Sequence, residues 1–405
     1  MMKGETLYSS DINDQTRLET VLDQVHKWSE REGYKGFNKH DGLNSPLLSV
    51  LLGWHKWLRL IAIQSVMRFP VNLRPCLLIP KTYNPKGLAL FSRSYLDRYK
   101  FTDNIEYLNK AEHLLDLLIN LRVERSKDCF AWGYLYPWQD PGFFAPANTP
   151  NAVVTAFVCE AFLDAYEVTG KHKYLDIVND SIRFFLQDLA VLKKTDQELC
   201  LSYMPLAMTM RVMDVSILIG TVIAQFAKIK EDNNLAATAR RLVTYVVNQQ
   251  TDYHAWYYTD PPADSHITHD NYHTGFILDA LWNYMQVTGD NQWENNYWRG
   301  LDFYAQHHFN ESGAPRWMHD TEYPHDIHGA AQGILTFSRH QSKFPGFAST
   351  IANWAIENMY DRNGRFYYQE TRYYKKKFTL LRWCNAWMAR SISRLMLETK
   401  VYETN

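Results

Sequence analysis

The sequence predicts an all-α fold: a toroid of six helix pairs of the (α/α)6 type, with short strands in its loops and an extra N-terminal helical segment. The prediction rests on a unit of about sixty residues that recurs along the chain, on the pairing within each unit of an all-round apolar helix with an amphipathic one, and on Gly and Pro falling between helices. At 405 residues the chain fits either two ordinary domains or one large closed architecture. With no linker, low-complexity tract or shift of composition, one domain over residues 1–405 is expected, residues 1–80 closing the ring.

Two copies display the unit most plainly. One reads Trp132-Gly133-Tyr134, Asn148-Thr149-Pro150-Asn151, an apolar helix from Val153 to Val168, a Thr169-Gly170 turn and a second helix from Tyr174 to Leu189. The other reads Trp256-Tyr257, Asp270-Asn271, a helix from Thr274 to Val287, Thr288-Gly289-Asp290 and a helix from Trp293 to Phe309. Elsewhere the spacing persists, with apolar helices starting near Lys86, Asn151, Asp214, Asn271, Ile327 and Trp383, in steps of 65, 63, 57, 56 and 56 residues. The runs Ala152 to Cys159 and Val215 to Gly220 are apolar on every side, the mark of a helix buried all round, whereas Leu235 to Val247 sets Arg240 and Arg241 on a polar face. Inner and outer members follow, and such pairs bury their apolar faces only against neighbours. Five outer helices lie between six inner starts, so Thr16 to Glu32 is assigned as the sixth. Leu47 to Phe69 reads as one further amphipathic helix, Trp54, Trp57 and Leu58 against His55, Lys56 and Arg59. It is expected either to dock on the body or to contact a membrane surface or partner peripherally.

Charge and cysteine usage exclude several classes. The 43 basic and 44 acidic side chains supply no field for nucleic acid, and the only basic run, Lys375-Lys376-Lys377, reads as a solvated loop. Five cysteines are scattered without a CxxC pair, which argues against a disulfide framework or zinc ribbon. The start, Met1-Met2-Lys3-Gly4-Glu5-Thr6, has no apolar signal region. The stretch from Val215 to Ala227 is too short and too interrupted for a transmembrane segment. A soluble, cytoplasmic protein is the expectation.

In such a ring the inner helices run parallel and their amino ends converge on one face, where unpaired N–H groups and partial positive charge favour anions. The polar residues at those ends are Asn84 and Lys86; Asn148 and Asn151; Asp214; His269 to His273; His325, Asp326 and His328; Arg382 and Asn385. His269-Asp270-Asn271-Tyr272-His273 and His325-Asp326-Ile327-His328 occupy equivalent places 56 residues apart. Carboxylates beside imidazoles are what proton transfer near neutral pH needs, so Asp270, Tyr272, His273, Asp326 and His328 are the catalytic candidates. Helix capping by the two aspartates and core roles for the histidines are the competing readings. Neither segment is HExxH and no cysteine is near in sequence, so no metal and no cofactor is expected.

Aromatic residues are 15% of the chain, and many fall in the loops before inner helices: Trp132, Tyr134, Tyr136, Trp138, Trp256, Tyr257, Tyr258, Trp317, Tyr323, Phe366, Tyr367 and Tyr368. Such rings stack on a pyranose or pack beneath the loops. The substrate-binding candidates are Lys86, Trp132, Tyr134, Trp138, Asn148, Asn151, Asp214, Asn271, Trp317, Arg382 and Asn385. The segment from Gly33 to Ser45, with Tyr34 and Asp41, joins the cleft only if it folds over it.

The segments Asn72-Leu73-Arg74-Pro75, Asn84 to Phe91, Trp132-Gly133-Tyr134 with Asn148 to Asn151, Asp270 to Gly275, Asp326 to Gly333, and Arg382-Trp383 with Ala386-Trp387-Met388 resemble the six-hairpin glycosidase-like superfamily. Within it they are similar to proteins encoded in bacterial exopolysaccharide biosynthesis loci. The resemblance covers most of the chain from about Tyr34 onward and implies an oligo- or polysaccharide substrate. Anion-friendly helix ends suggest that the sugar is acidic. The superfamily holds hydrolases, epimerases and lyases, and fold does not choose among them. In uronyl epimerisation or elimination, Tyr272, His273 and His328 suit acid and base, with Asn151, Asn271 and Arg382 near the carboxylate. In hydrolysis, Asp270 pairs with Asp214 or Asp326. The acidic motifs associated with unsaturated glucuronyl hydrolases are not evident, which tilts the expectation toward epimerase or lyase chemistry. A non-catalytic glycan-binding or assembly protein is the third reading.

Overall fold

Short polar side chains open several of the apolar runs by accepting the first free amide protons of the helix. Asn84 accepts from Gly87 N at 3.3 Å, Asn151 from Val154 N at 3.0 Å and Asp326 from His328 N at 2.9 Å. The runs beginning with Ala152 and Asn271 end at Gly170 (φ +66°) and Gly289 (φ +73°), left-handed positions suited to a residue without Cβ. In the computed structural model, which describes residues 5–126 and 129–404, these signals delimit α1 (Glu5–Arg31), α2 (Pro46–Leu52), α3 (Lys56–Arg68), α4 (Pro85–Thr102), α5 (Ile105–Asn120), α6 (Ala152–Thr169) and α7 (His172–Arg183). They continue with α8 (Met213–Lys230), α9 (Asn233–Val247), α10 (Asn271–Thr288), α11 (Glu294–His307), α12 (Ile327–Ser338), α13 (Phe347–Met359) and α14 (Trp387–Thr404). The polar start read from Met1 to Gly4 lies outside the described residues.

Helices α4, α6, α8, α10, α12 and α14 each pack on the next, and α14 packs back on α4, so six inner helices close a ring. Helices α5, α7, α9, α11 and α13 cover them from outside, and α1 packs on α14 as the sixth outer member. The fold is therefore the (α/α)6 toroid. Every residue of α8 from Met213 to Ala224 is buried, whereas α9 buries only Ala239, Leu242, Val243 and Tyr245 to Val247. At about 1.5–3 kcal/mol per fully buried aliphatic or aromatic side chain, this asymmetry orders the helices radially. Gly275 lets α10 approach α12, because a Cβ there would collide with Gln332. The repeat also reaches the loops: the buried indoles of Trp132 and Trp256 donate to Leu118 O (2.7 Å) and Val246 O (2.9 Å), tying the entry to α6 and α10 onto the ends of α5 and α9.

Strands are short loop ladders. One sets Gln369 opposite Asp326, and another pairs Trp138-Gln139 with Phe144-Ala145. Three expectations are corrected. Leu47 to Phe69 forms two helices: Gly53 ends α2 by donating to Ser49 O at 2.9 Å, and His55, in an extended conformation, starts α3 by accepting at Nδ1 from Trp57 N. The last inner helix begins at Trp387, after a wider π-type turn from Arg382 to Ala386. Lys375-Lys376-Lys377 is not a solvated loop, since Lys376 is buried and its Nζ donates to Met67 O at 3.2 Å.

Candidate active site

The amino ends of the inner helices open on a cleft of about 1210 Å³. Four successive starts, 56 residues apart, carry Asp214, Asp270, Asp326 and Arg382, and their environments differ. Asp270 occupies the N-cap position of α10 but caps nothing. Its Oδ2 accepts instead from Nδ1 of His273, one turn on, at 2.7 Å. The carboxylate is 1% exposed and the imidazole 18%. With Nδ1–H given to Asp270, Nε2 is the nitrogen available to the cleft, held between the rings of Tyr258 and Tyr272 at centroid distances of 4.6 and 4.4 Å.

His328, in the first turn of α12, stacks flat on Tyr272 (4.6 Å, 6° between planes) with Trp383 edge-on at 4.5 Å. Neither ring nitrogen has a hydrogen-bond partner. Burial, then the charges of Lys86, Arg382 and Lys39, hold its pKa well below the usual imidazole value, so the ring is neutral at pH 7. Asp326 is used differently from Asp270. Besides capping α12 it accepts from Trp383 Nε1 at 2.7 Å and Gln369 Nε2 at 2.8 Å. Asp214 lines the cleft with a buried Oδ1 that has no partner. Burial pushes its carboxyl up from the usual range against the opposing pull of His273 and Lys86.

Three basic side chains face the cleft with no contact ion pair among the described residues: Lys39, Lys86 and Arg382. The Nζ of Lys39 sits 3.9 Å over the Trp383 ring and 5.8 Å from those of Tyr272 and Trp317. Burial, opposed by Asp326, brings its pKa down to about 8. Lys86 lies 3.7 Å over Phe157 and 4.4 Å over Phe276, and burial lowers its pKa well below the lysine value. The Arg382 guanidinium lies 4.7 Å from the Trp383 ring, its Nε buried and unpartnered. A buried cation without an anion is costly, so the cleft is prepared for a ligand that brings negative charge. Among its lining residues six Lys and Arg face three Asp, which fixes that sign. Among the described residues no three of His, Cys, Asp and Glu are gathered as for a metal ion.

Of the residues singled out from sequence, Lys86, Tyr134, Trp138, Asp214, Tyr272, His273, Trp317, His328 and Arg382 line the cleft, with Asp270 directly behind His273. The others are turned elsewhere. Trp132 is a core residue, and Asn148 is exposed in its loop at φ +63°. Asn151 caps α6. Asn271 is held between His308 O (2.9 Å) and Tyr304 Oη (3.0 Å), and Asn385 between Gly364 O (2.8 Å) and Phe366 N (3.0 Å). His269 and His325 tie loops, to Trp256 O (2.8 Å) and Pro315 O (2.7 Å).

Sequence reasoning missed Lys39, His40, Tyr203, Gln369, Lys376 and Trp383, all of which border the cleft. Lys39 and His40 belong to the Gly33 to Ser45 segment, which does fold over the ring. A buried ion pair fixes it, Arg74 Nε donating to Asp41 at 2.7 Å, and Arg74 Nη2 reaches Asn38 O at 2.7 Å. His40 then stacks on Trp138 at 5.4 Å.

Fold and site together define an (α/α)6 toroid whose inner-helix amino ends open on one cleft. A cellobiose 2-epimerase from Bacillus thermoamylovorans superposes with a TM-score of 0.60 at 11% identity, over 78% of this chain and 89% of that one. An unsaturated glucuronyl hydrolase specific for heparin gives 0.62 at 12% identity, over 96% and 98%. A GH76 α-mannanase from Bacteroides thetaiotaomicron gives 0.59 at 14%, over 79% and 87%. At such identities the likeness establishes the fold. No family model and no curated protein sequence matches the chain.

Proposed function

We propose that the protein is a glycan-active enzyme that moves a proton at the carbon beside a carboxylate, as a C5 epimerase or lyase on a uronic-acid-containing saccharide. The observation that carries the reading is an imidazole held by a buried aspartate and presented to a cleft lined by three buried basic side chains, Lys39, Lys86 and Arg382. The sugar carboxylate fits against Lys39 and Arg382, and its ring against Trp317 and Trp138. His273 Nε2 removes the C5 proton, the electron pair passes into the carboxylate, and the buried cations stabilise the doubly charged state. Return of a proton to the opposite face gives the epimer, the N–H of His328 donating as its other ring nitrogen takes up a solvent proton, while His273 releases to solvent the proton it removed. Expulsion of the substituent on C4, its oxygen protonated by Asp214, gives the unsaturated uronate. The similar structures include an enzyme named as a cellobiose 2-epimerase, in keeping with the epimerase branch, and one named as an unsaturated glucuronyl hydrolase, in keeping with hydrolysis.

Incubation with uronate oligosaccharides in deuterated water tests the proposal. Deuterium at C5 is the expected result, and an ultraviolet-absorbing product marks the lyase branch. One observation favours a second reading, hydrolysis: the buried, upshifted carboxyl of Asp214, its Oδ1 without a hydrogen bond, has the character of a general acid. New reducing ends without deuterium or absorbance would establish that reading. Binding without any product, unchanged in His273→Ala, would leave a glycan-binding module.

A further inference from the structure

The helices α2 and α3 stand apart from the ring in having two apolar faces. One is buried, with Leu60, Ala62, Ile63 and Val66 of α3 against the body. The other is open: Val50 is 80% exposed, Leu51 67%, Trp54 74%, Trp57 59% and Ile61 54%. The exposed stripe continues past the helix through Phe69 and Val71. An isolated exposed apolar residue needs no explanation, but a contiguous patch with two tryptophans marks an interaction surface. A helix apolar on both sides is covered on both sides in its working state.

Charge identifies the cover. No Asp or Glu occurs between Asp41 and Asp97, in a chain with 44 acidic residues among 405. The same stretch carries Lys56, Arg59 and Arg68 around the exposed face, and the Arg372 to Lys377 loop adjoins the end of α3 through Lys376. With Asp140 near Lys56 and Glu370 paired to Lys375, the surface is apolar and net cationic, which is complementary to an anionic lipid headgroup layer. A second copy of the chain is a poor cover, because a two-fold contact sets like charges against each other. Helices of 7 and 13 residues are too short to span a bilayer but suit lying in its interface, where tryptophan is favoured. Among the described residues no helix is long and apolar enough to cross a membrane.

We infer that α2 and α3 form an interfacial foot that seats the protein on an anionic membrane surface. The inference stands independently of the reaction assigned to the cleft. It has a consequence for that cleft, since Leu60, Ile63, Gln64, Met67 and Arg68 of α3 form one of its walls. Arg68 belongs both to that wall and to the exposed face, so, on the function proposed above, a glycan attached to a lipid approaches the cleft from the membrane side.

Flotation of the full chain with phosphatidylcholine vesicles, with and without phosphatidylglycerol, tests this. The protein is expected to float with phosphatidylglycerol-containing vesicles, and less so as salt is raised. The W54S/W57S variant should lower the bound fraction about tenfold, and Lys56→Glu severalfold. Both substitutions are at exposed positions, so circular dichroism should match the wild type. Absence of flotation with either vesicle, or flotation of W54S/W57S equal to the wild type, would overturn the inference. So would a dimer seen by light scattering that W54S/W57S dissolves while vesicle binding is absent, since a second copy would then be the cover.

Discussion

The starts of α10 and α12 carry the same pattern, an aspartate at the cap position with a histidine within the first turn, and use it differently. Asp270 leaves its helix uncapped and spends its carboxylate on His273, which faces the cleft. Asp326 caps its helix and gathers Trp383 and Gln369, leaving His328 neutral and unpartnered in an aromatic stack. One residue of offset accounts for this. His273 lies three residues after its aspartate and returns over it on the helix surface, whereas His328 lies two after and points away. Equivalent positions in a repeat therefore share backbone roles without sharing chemistry, and the acid–base pair is found by asking which aspartate is not needed by its own helix.

The largest effect expected from breaking this contrast is on turnover. Asp270→Asn should lower kcat by about 10²–10⁴, because the amide presents His273 with the wrong partner, while the midpoint of urea unfolding stays close to wild type. Asp326→Ala should do the reverse. It strands two buried donors and a helix end, so a loss of about 2–4 kcal/mol in denaturant melts is expected, with turnover per folded molecule lowered only about severalfold, through the Lys39 charge that Asp326 helps to hold. A third effect lies in pH. Lys39 is charged below its pKa of about 8 and neutral above it, so affinity for an anionic sugar should fall as pH rises through 8. KM profiles of Lys39→Met should lack that limb and sit severalfold above wild type at pH 7. The smallest effect is expected at Asn148, exposed and left-handed. Asn148→Gly should leave KM unchanged and stability within about 0.5 kcal/mol.

Much of the ring was readable because its signals are local. Caps at Asn84 and Asn151, turns at Gly170 and Gly289, and the all-round apolarity of α6 and α8 act over a few residues, and their spacing yields six inner helices. The site was readable only as a neighbourhood. Asn271 and His273 share a helix turn, but one faces Tyr304 and the other the cleft, and a polar letter at a helix start does not say which. Lys39 was hidden because its position depends on the Asp41–Arg74 pair, joined across 33 residues of chain with no periodic trace. Trp132 and Trp317 looked alike as loop aromatics, yet the first is a core anchor and the second a cleft wall. The break between α2 and α3 turned on Gly53 and His55, which a single amphipathic reading from Leu47 to Phe69 passed over.

The most direct measurement is the rate of solvent-deuterium incorporation at C5 of a uronate oligosaccharide by Asp270→Asn and Asp326→Asn side by side, each normalised to its folded fraction. The proposed division of labour predicts at least a hundredfold loss in the first variant and no more than about a severalfold loss in the second, through the Lys39 charge that Asp326 helps to hold. Equal losses in both, or an unimpaired Asp270→Asn, would contradict it.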